Sequence, residues 1–510
     1  MNNSGQTHTA EFPHGFSLRD LGQSFGRLDA GDASDDEDIC IMGICDDSRF
    51  AKPGYALMCL PRSRDHASEY AEAACLNGAV AVISVGIEVD TDLPHLHLDN
   101  MEKAGQLLRR MFRSEGVGSH LYGITGTDGK TSVAWMLREA LSRYQRKQVW
   151  STGTLGWMRS ADDIRDIGNT TPSMLTMHAM LAAACEKDVH AIVSEISSHG
   201  IVQQRIAGLH FNTAIWTNMG HDHLQDHGGY ASYLAAKTGF IQQTAADGGN
   251  VIANGDHEDI RQHAAENSCW YGHGLYRDDV DLAWEQELPG LLRLKQGDEE
   301  VVIEDIPLGD FHAENVACTA LTLMVSTNAS LSDLPGLLGH ISAPPGRMQE
   351  LEAGYGQVYI DYAHTPEALE RCLEAARKLT RERLILVFGC GGERDREKRP
   401  HMGEIAADLA DVVWITSDNP RGEMPAVIAS EIEHGMSQPY RSEIHLQLDR
   451  EQAISEAVDC LRDGDVLVIA GKGHEAYMEV CGRRLPWLDA EITNKYLYHK
   501  HGLDRVSVCG

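Results

Sequence analysis

Apolar and polar positions alternate in blocks along the chain: short, nearly continuous apolar runs are followed by longer stretches with helical spacing. That alternation predicts an α/β protein on largely parallel sheets. Strands are expected at 41–44, 56–59, 79–83, 119–124, 191–195 and 213–218, and helices at 67–76, 101–112, 133–141 and 314–325. An Ala-Pro-Pro-Gly break at 343–346 precedes four more strand candidates, at 358–362, 384–388, 412–416 and 466–470, separated by helical stretches. These read as a Rossmann-like unit. Residues 1–34 are polar, and their first turns are expected to be disordered; the Ser-Glu-Gly-Val-Gly-Ser stretch at 114–119 reads as a linker between domains.

Chemistry first shows where the strand at 119–124 ends. Gly126-Thr127-Asp128-Gly129-Lys130-Thr131-Ser132 lies between that strand and a helix. Its glycines let backbone N–H groups approach phosphate oxygens, Lys130 adds a point charge, and Thr131 offers a hydroxyl to Mg²⁺. The position five before Gly129 is Ile124, so this is a short G-x-x-G-K-[ST] loop and not a standard P-loop. Composition narrows the ligand. The 510 residues suit about three or four domains, and Lys+Arg 44 against Asp+Glu 76 gives a net charge of −32. Such a surface repels nucleic acid and anionic lipid, so phosphate must be held by local positive features. Twelve scattered cysteines without a C-x-x-C pair, no apolar signal core and no membrane-length run point to a cytoplasmic protein with no membrane insertion.

Further polar clusters end other strands. Glu195 closes an apolar strand, as a Mg²⁺-binding acid does, and Ser197-Ser198-His199-Gly200 follows. Asn218-Met219-Gly220-His221-Asp222-His223 and Asp226-His227 admit a weak zinc reading, a single histidine serving Mg²⁺, or a solvated loop; the single histidine is preferred. On its chemistry alone Lys237 reads as a helix surface charge. Asp361, in Asp361-Tyr362-Ala363-His364, suits ribose hydroxyls or equally a helix N-cap and turn. Gly389 to Asp395 with Arg394, Asp418-Asn419-Pro420-Arg421, and Gly471-Lys472-Gly473-His474-Glu475 end three strands of one sheet, which implies a single crevice. Arg421 can pair bidentately with a carboxylate, as lysine cannot.

Together, and in this order, these motifs resemble the Mur ligase family from Asp47-Ser48-Arg49 to Glu475. The resemblance implies three domains: an N-terminal UDP-substrate-binding α/β domain (1–118), a central P-loop ATPase-like α/β domain (119–343) and a C-terminal Rossmann-like domain (344–510). It implies amide formation through an acyl phosphate made with ATP. Roles carry over by matching motif. Ser48 and Arg49 would meet the uridine end; Asn169, Thr170, Thr171, Ser197, Gln203 and Arg205 would grip a UDP-muramoyl dipeptide. Gly126 to Ser132 would hold the ATP phosphates, and Thr131, Glu195 and His223 Mg²⁺. Lys237 would carry a CO₂-derived carbamate as a further metal ligand. Asn315, Arg347, Asp361 and His364 would complete the nucleotide site. In the family, Asp-Asn-Pro-Arg marks members that add meso-diaminopimelate, so Asp418, Asn419, Pro420 and Arg421 would read that amino acid together with Arg394, Gly471 and Glu475. The expected partners are these small molecules, and a monomer is expected. Four departures stand out: Asp128 for asparagine, Gly220-His221 for Ser-Arg, His312 for the first asparagine of the adenine motif, and 60–67, which lacks the usual Gly-x-x-x-Asp-Gly loop. They motivate two alternatives: a paralogue that loads an amino acid onto a different carrier, and a catalytically silent scaffold.

Overall fold

A computed structural model describes residues 8–29, 38–114, 120–160, 163–220, 229–436 and 442–500. The chain forms two compact units, Met1–Ala283 with Ala317–Asp333, and Trp284–Val316 with Leu334–Gly510.

The first unit begins with a six-stranded sheet in the order Thr9–Ser17, Cys40–Cys45, Tyr55–Cys59, Ala81–Val85, His95–Leu98, Arg27–Asp29. Its four inner strands run parallel and its two edges antiparallel. Tyr55–Cys59 and Ala81–Val85 are buried at every position, which is why they read as unbroken apolar runs. The disorder expected of the first turns falls mainly on residues 1–7, outside the described residues; residues 8–29 form strand, helix and strand. Phe12, Leu18 and Leu21 enter the core, and apolar burial outweighs the polar composition. Helix Met101–Met111 is capped by the Asn100 side chain on the Lys103 N–H (3.0 Å) and buries Met101, Ala104, Leu107, Leu108 and Met111. Gly105 on this helix lets it approach the segment after Arg205. A Cβ there would lie 2.2 Å from the Ala207 carbonyl oxygen.

The second sheet of this unit places Asp163–Arg165, Gly156–Ser160, Val149–Gly153, Ala191–Glu195, His120–Thr125, Thr213–Trp216, Asn250–Asn254 and Cys269–His273 in that order. From Val149–Gly153 to Cys269–His273 all neighbours are parallel. Register pairs Glu195 with Ile124 and Trp216 with Thr125, so three strands end level around the glycine loop.

In the second unit the Rossmann-like sheet runs Gln349–Leu351, Gln357–Ile360, Val466–Ile469, Leu384–Phe388, Val412–Ile415, Glu443–Leu446. Alternate strand residues enter two cores, Tyr359, Leu386, Phe388 and Val468 on one face, Val358, Val387, Trp414 and Ile469 on the other. The last-made of the central strands, Val466–Ile469, inserts between the first and second.

Among the described residues two histidines lie wholly inside: His178, stacked on Phe112 in the first unit, and His312 in the second. Burial lowers their pKa values to about 3 and about 4. An unfolded histidine takes up its proton near pH 6.5, so between that point and the folded value the unfolded chain binds a proton that the folded chain refuses. Stability is therefore full above pH 6.5 and falls by about 1.4 kcal/mol per pH unit per histidine below it. Thermal melts at pH 7.5, 6 and 5 should show this loss, and His178→Gln should flatten the slope of the transition reporting the first unit.

Candidate active site

Strand His120–Thr125 passes through Gly126–Gly129 into helix Lys130–Gln145. Gly126 (φ 151°) faces the Thr217 hydroxyl, which a Cβ would meet at 1.9 Å; Gly129 (φ 81°) is in the left-handed region. Gly129 has no side chain to cap the helix, which leaves first-turn N–H groups for an anion. Lys130 Nζ donates to the Gly126 and Thr127 carbonyls (2.9 and 2.8 Å). The next strand braces the loop: Asn218 accepts from the Asp128 N–H (2.8 Å), Thr217 donates to the Asp128 carbonyl (2.6 Å), and the Gly220 N–H donates to Thr127 Oγ1 (2.8 Å). The Asp128 side chain is exposed, so solvent screens its charge.

Beside the loop, Glu195 is 2 % exposed. It accepts from the Thr131 hydroxyl (2.9 Å) and from the Thr154 N–H and hydroxyl (2.9 and 3.1 Å). Burial raises its carboxyl above the usual range, against the opposing charge of Lys130. A dry carboxylate beside a threonine hydroxyl is a hard oxygen donor set that fits Mg²⁺. Lys237 is 1 % exposed in helix Tyr230–Ala246, with Nζ 4.4 Å from the centre of the Tyr233 ring. The surface charge suggested by its chemistry alone is thus a core lysine. His223, with His221, Asp222, Asp226 and His227, lies outside the described residues.

Glu195 also leads to the next cluster. Its backbone carbonyl accepts from the Thr171 hydroxyl (3.0 Å), which in turn accepts from the Ser197 N–H (2.8 Å); Thr154 Oγ1 is 3.3 Å from Thr170 Oγ1. Arg205 donates to the Thr171 carbonyl (2.6 Å) and twice to Gln203 (3.0 and 2.7 Å). Asn169 is exposed. Burial, and then the guanidinium of Arg62, lower the pKa of Arg205. Arg62 belongs to the 3₁₀ turn Pro61–His66, so the divergent 60–67 segment bears on this cluster. Ser48 and Arg49 occupy a turn on the first sheet, where Ser48 is buried and Arg49 folds back on Asp47 (2.6 Å).

In the second unit, polar residues gather where the parallel strands end. Asp361 accepts from the Met348 and Ala363 N–H groups (both 2.7 Å), which fixes the turn carrying Arg347. Thr365, not Asp361, caps the following helix. Burial raises the Asp361 carboxyl and lowers His364. His312 donates from Nε2 to the Arg347 carbonyl (3.1 Å), and the Arg347 guanidinium lies 4.8 Å from the Tyr362 ring centre. Asn315 is buried on the same helix. Gly346 packs on the Gly473–His474 backbone, where a Cβ would reach the His474 nitrogen at 2.3 Å.

One strand further along, Glu475 accepts from Asn419 Nδ2 (2.7 Å) and Lys472 Nζ (3.0 Å), and Lys472 also reaches Asn419 Oδ1 (3.1 Å). Asp418 Oδ2 is 2.7 Å from the position of a Cβ on Gly471. Arg421 holds a left-handed backbone (φ 50°), donates to the Gly392 carbonyl (2.6 Å) and lies 3.5 Å from Glu479. Arg394 and Arg421 both border Gly391, within 3.7 and 3.0 Å of where its Cβ would be. Strained φ at a long polar residue is kept only when the surroundings enforce it, and such residues concentrate at functional sites.

Residues 124–322 match the profile of the Mur ligase middle domain, and 346–473 that of the Mur ligase glutamate ligase domain. UDP-N-acetylmuramoyl-L-alanyl-D-glutamate–2,6-diaminopimelate ligase of Syntrophomonas wolfei is 34% identical over 469 residues, spanning 90% of this chain and 95% of its own. The chain belongs to the Mur ligase family. The enzyme of the same name from Agrobacterium fabrum is 34% identical over 502 residues, covering 95% of this Mur ligase and 99% of its own length. A solved structure of a ligase of that name superposes with a TM-score of 0.66 at 27% identity, over 96% of this chain and 99% of that one. MurF ligase from Thermotoga maritima, solved with ADP, shares the fold at 17% identity (TM-score 0.58; 90% and 98% covered).

Within the first unit of this Mur ligase, Lys130, Thr131, Glu195, Thr171, Ser197 and Arg205 form linked networks. Within the second, Arg394, Asp418, Asn419, Pro420, Arg421, Gly471 and Glu475 share the strand ends, beside Arg347, Asp361 and His364. Sequence reasoning missed Thr154, Arg62 and Lys472. Thr154 and Arg62 carry no local signal, because their roles come from neighbours distant in sequence. Lys472 stood inside a quoted motif, and only its complete burial distinguishes it.

Proposed function

We propose that this Mur ligase joins meso-2,6-diaminopimelate to UDP-N-acetylmuramoyl-L-alanyl-D-glutamate, driven by cleavage of ATP to ADP and phosphate, in peptidoglycan precursor synthesis. The observation that carries this reading is the Arg421 guanidinium beside Gly391, where the Arg394 stem also packs, with Glu475 one strand away, in a chain similar over 90–95% of its length to ligases of that name. Two guanidiniums suit the distal carboxylate and Glu475 the distal ammonium. Lysine lacks that carboxylate and would leave the guanidiniums unpaired.

In the reaction, an oxygen of the acceptor carboxylate attacks the γ-phosphorus, ADP leaves, and an acyl phosphate forms. The amine then attacks the carbonyl carbon, the nitrogen loses its proton, and the tetrahedral intermediate expels phosphate to give the amide. Gly126, Thr127, Asp128, Gly129 and Ser132 are proposed to line the phosphates while Lys130 supplies charge. Thr131, Glu195, His223 and a carbamate on Lys237 would hold Mg²⁺, which offsets phosphate charge when bound. The carbamate forms when neutral Lys237 Nζ adds to CO₂ and releases a proton; its support is the burial of Lys237, which disfavours the charged ammonium. A ¹³C carbamate resonance from labelled CO₂, absent in Lys237→Ala, is expected. Asn315, Arg347, Asp361 and His364 are proposed for the nucleoside. Ser48, Arg49, Asn169, Thr170, Thr171, Ser197, Gln203 and Arg205 are proposed for the nucleotide-linked acceptor. Domains at 1–118, 119–343 and 344–510, a monomeric state and a cytoplasmic location are part of the same proposal. Among the described residues no helix is long and apolar enough to cross a membrane.

The 3₁₀ turn Pro61–His66, with Arg62 bearing on Arg205, favours a second reading in which the acceptor is a different carrier. One assay decides. Phosphate release by the purified chain is measured with several nucleotide-linked acceptors, each with diaminopimelate, lysine, ornithine or no amino acid. Release that requires both the muramoyl dipeptide and diaminopimelate is expected; turnover only with another acceptor would establish the second reading.

A further inference from the structure

We infer that the buried Arg450–Asp489 pair is the positioning element of the amino-acid pocket, fixing the loop that carries Arg421, the loop that carries Lys472 and Glu475, and the hairpin that grips Arg421. This rests on reading that pocket as the diaminopimelate site. Both side chains have no solvent exposure. Arg450 Nε and Nη2 donate to the two Asp489 oxygens at 2.9 and 2.6 Å, a bidentate pair. Its other contacts go to backbone: Nη1 donates to the Ser417 carbonyl (3.2 Å) and Nη2 to the Ala470 carbonyl (2.9 Å). Ser417 immediately precedes Asp418, and Ala470 immediately precedes Gly471. One guanidinium therefore ties together the roots of both substrate-reading loops.

Asp489 extends the tie to a third segment. Its Oδ1 accepts from Trp487 Nε1 (2.8 Å), and Trp487 follows the hairpin Tyr477–Val480 and Arg483–Pro486. That hairpin grips Arg421 by its backbone: the Arg421 N–H donates to the Glu479 carbonyl (3.0 Å), and the Cys481 N–H donates to the Arg421 carbonyl (2.7 Å). The left-handed φ of Arg421 is thus enforced by a hairpin whose far end is anchored on Asp489. Arg450 is itself fixed, as the first residue of helix Arg450–Cys460 after the cap Asp449, which accepts from the Gln452 N–H (3.1 Å).

A buried ion pair adds little stability over an apolar pair of the same size, so stability alone does not account for it. The planar fork supplies direction. It can meet a carboxylate and two carbonyls at set angles, which an ammonium cannot reproduce. A shift of one loop root against the other would move Arg421 relative to Glu475 and misplace the two ends of a bifunctional amino acid.

The test uses the full chain with Asp489→Asn and Arg450→Lys, with thermal melts alongside kinetics. The expected result is a rise of about tenfold or more in KM for diaminopimelate, a comparable loss of preference over lysine, and KM values for ATP and the nucleotide acceptor within about twofold of wild type. A folded variant with unchanged KM for diaminopimelate and unchanged preference overturns the inference. So does a variant in which all three KM values move together, the mark of a merely structural role. Should neither variant fold, Trp487→Phe removes only the indole donor; a rise of about threefold in the same KM is expected, and no rise overturns the inference. A wild type that ignores diaminopimelate sinks the functional reading alone, because the same KM series with the amino acid it does use still decides the positioning role.

Discussion

Lys130→Met will lower the rate of ATP-dependent phosphate release by about 10³-fold, roughly 4 kcal/mol of transition-state stabilisation. The ammonium sits on the Gly126 and Thr127 carbonyls at the start of helix Lys130–Gln145, so a positive charge is already held over the loop. Its charge counts most when negative charge moves from the γ-phosphate to the departing ADP, so kcat should fall far more than KM for the amino acid changes. The side chain is part-buried and bonded to its own loop, so the melting temperature should stay close to the native value. Steady-state phosphate release together with a thermal melt checks both. A folded variant that turns over within about tenfold of native would falsify the assignment of this loop to phosphate.

The second large effect is expected at Arg421. Arg421→Met should reduce kcat/KM for diaminopimelate by about 10³-fold and leave that for lysine nearly unchanged, which largely abolishes the discrimination. The guanidinium is the fork donor of the pocket, its Nη1 on the Gly392 carbonyl and its neighbour Arg394 across Gly391. Removing it leaves a distal carboxylate desolvated without a bidentate partner, whereas lysine has no carboxylate to lose. Arg421→Lys should recover only part of the loss, because an ammonium keeps the charge and forfeits the fork. Competition between the two amino acids, read by product mass, measures the ratio directly. Equal losses for both substrates would point to a collapsed hairpin, since the Arg421 backbone is bonded to Glu479 and Cys481.

His312 shows how a departure from the family pattern can be absorbed. Where the adenine motif has asparagine, this chain buries an imidazole whose Nε2 donates to the Arg347 carbonyl. Burial keeps this imidazole neutral, holding its pKa at about 4 against the carbonyl hydrogen bond, which favours the protonated form. His312 thus provides a hydrogen bond to the Arg347 turn. Asp128, the change in the glycine loop, has its side chain exposed and its backbone held by Asn218 and Thr217.

The sequence alone determined the elements and the local chemistry. Apolar runs of strand length, glycine spacing at 126–129, and acids or arginines just past strand ends are patterns of period and adjacency, written into neighbouring residues. That suffices for the α/β class, and it marks the glycine loop, Glu195 and the Asp418–Arg421 motif as candidates. It could not order the strands of the last sheet, where Val466–Ile469 lies between Gln357–Ile360 and Leu384–Phe388 and so brings Glu475 beside Asn419. Nor could it tell that Lys237 and Lys472 are buried while Asp128 is not, or that Arg450 ties the residues before Asp418 and Gly471 to Asp489. The burial of a charge depends on partners tens to hundreds of residues away, and only the folded chain brings those partners together.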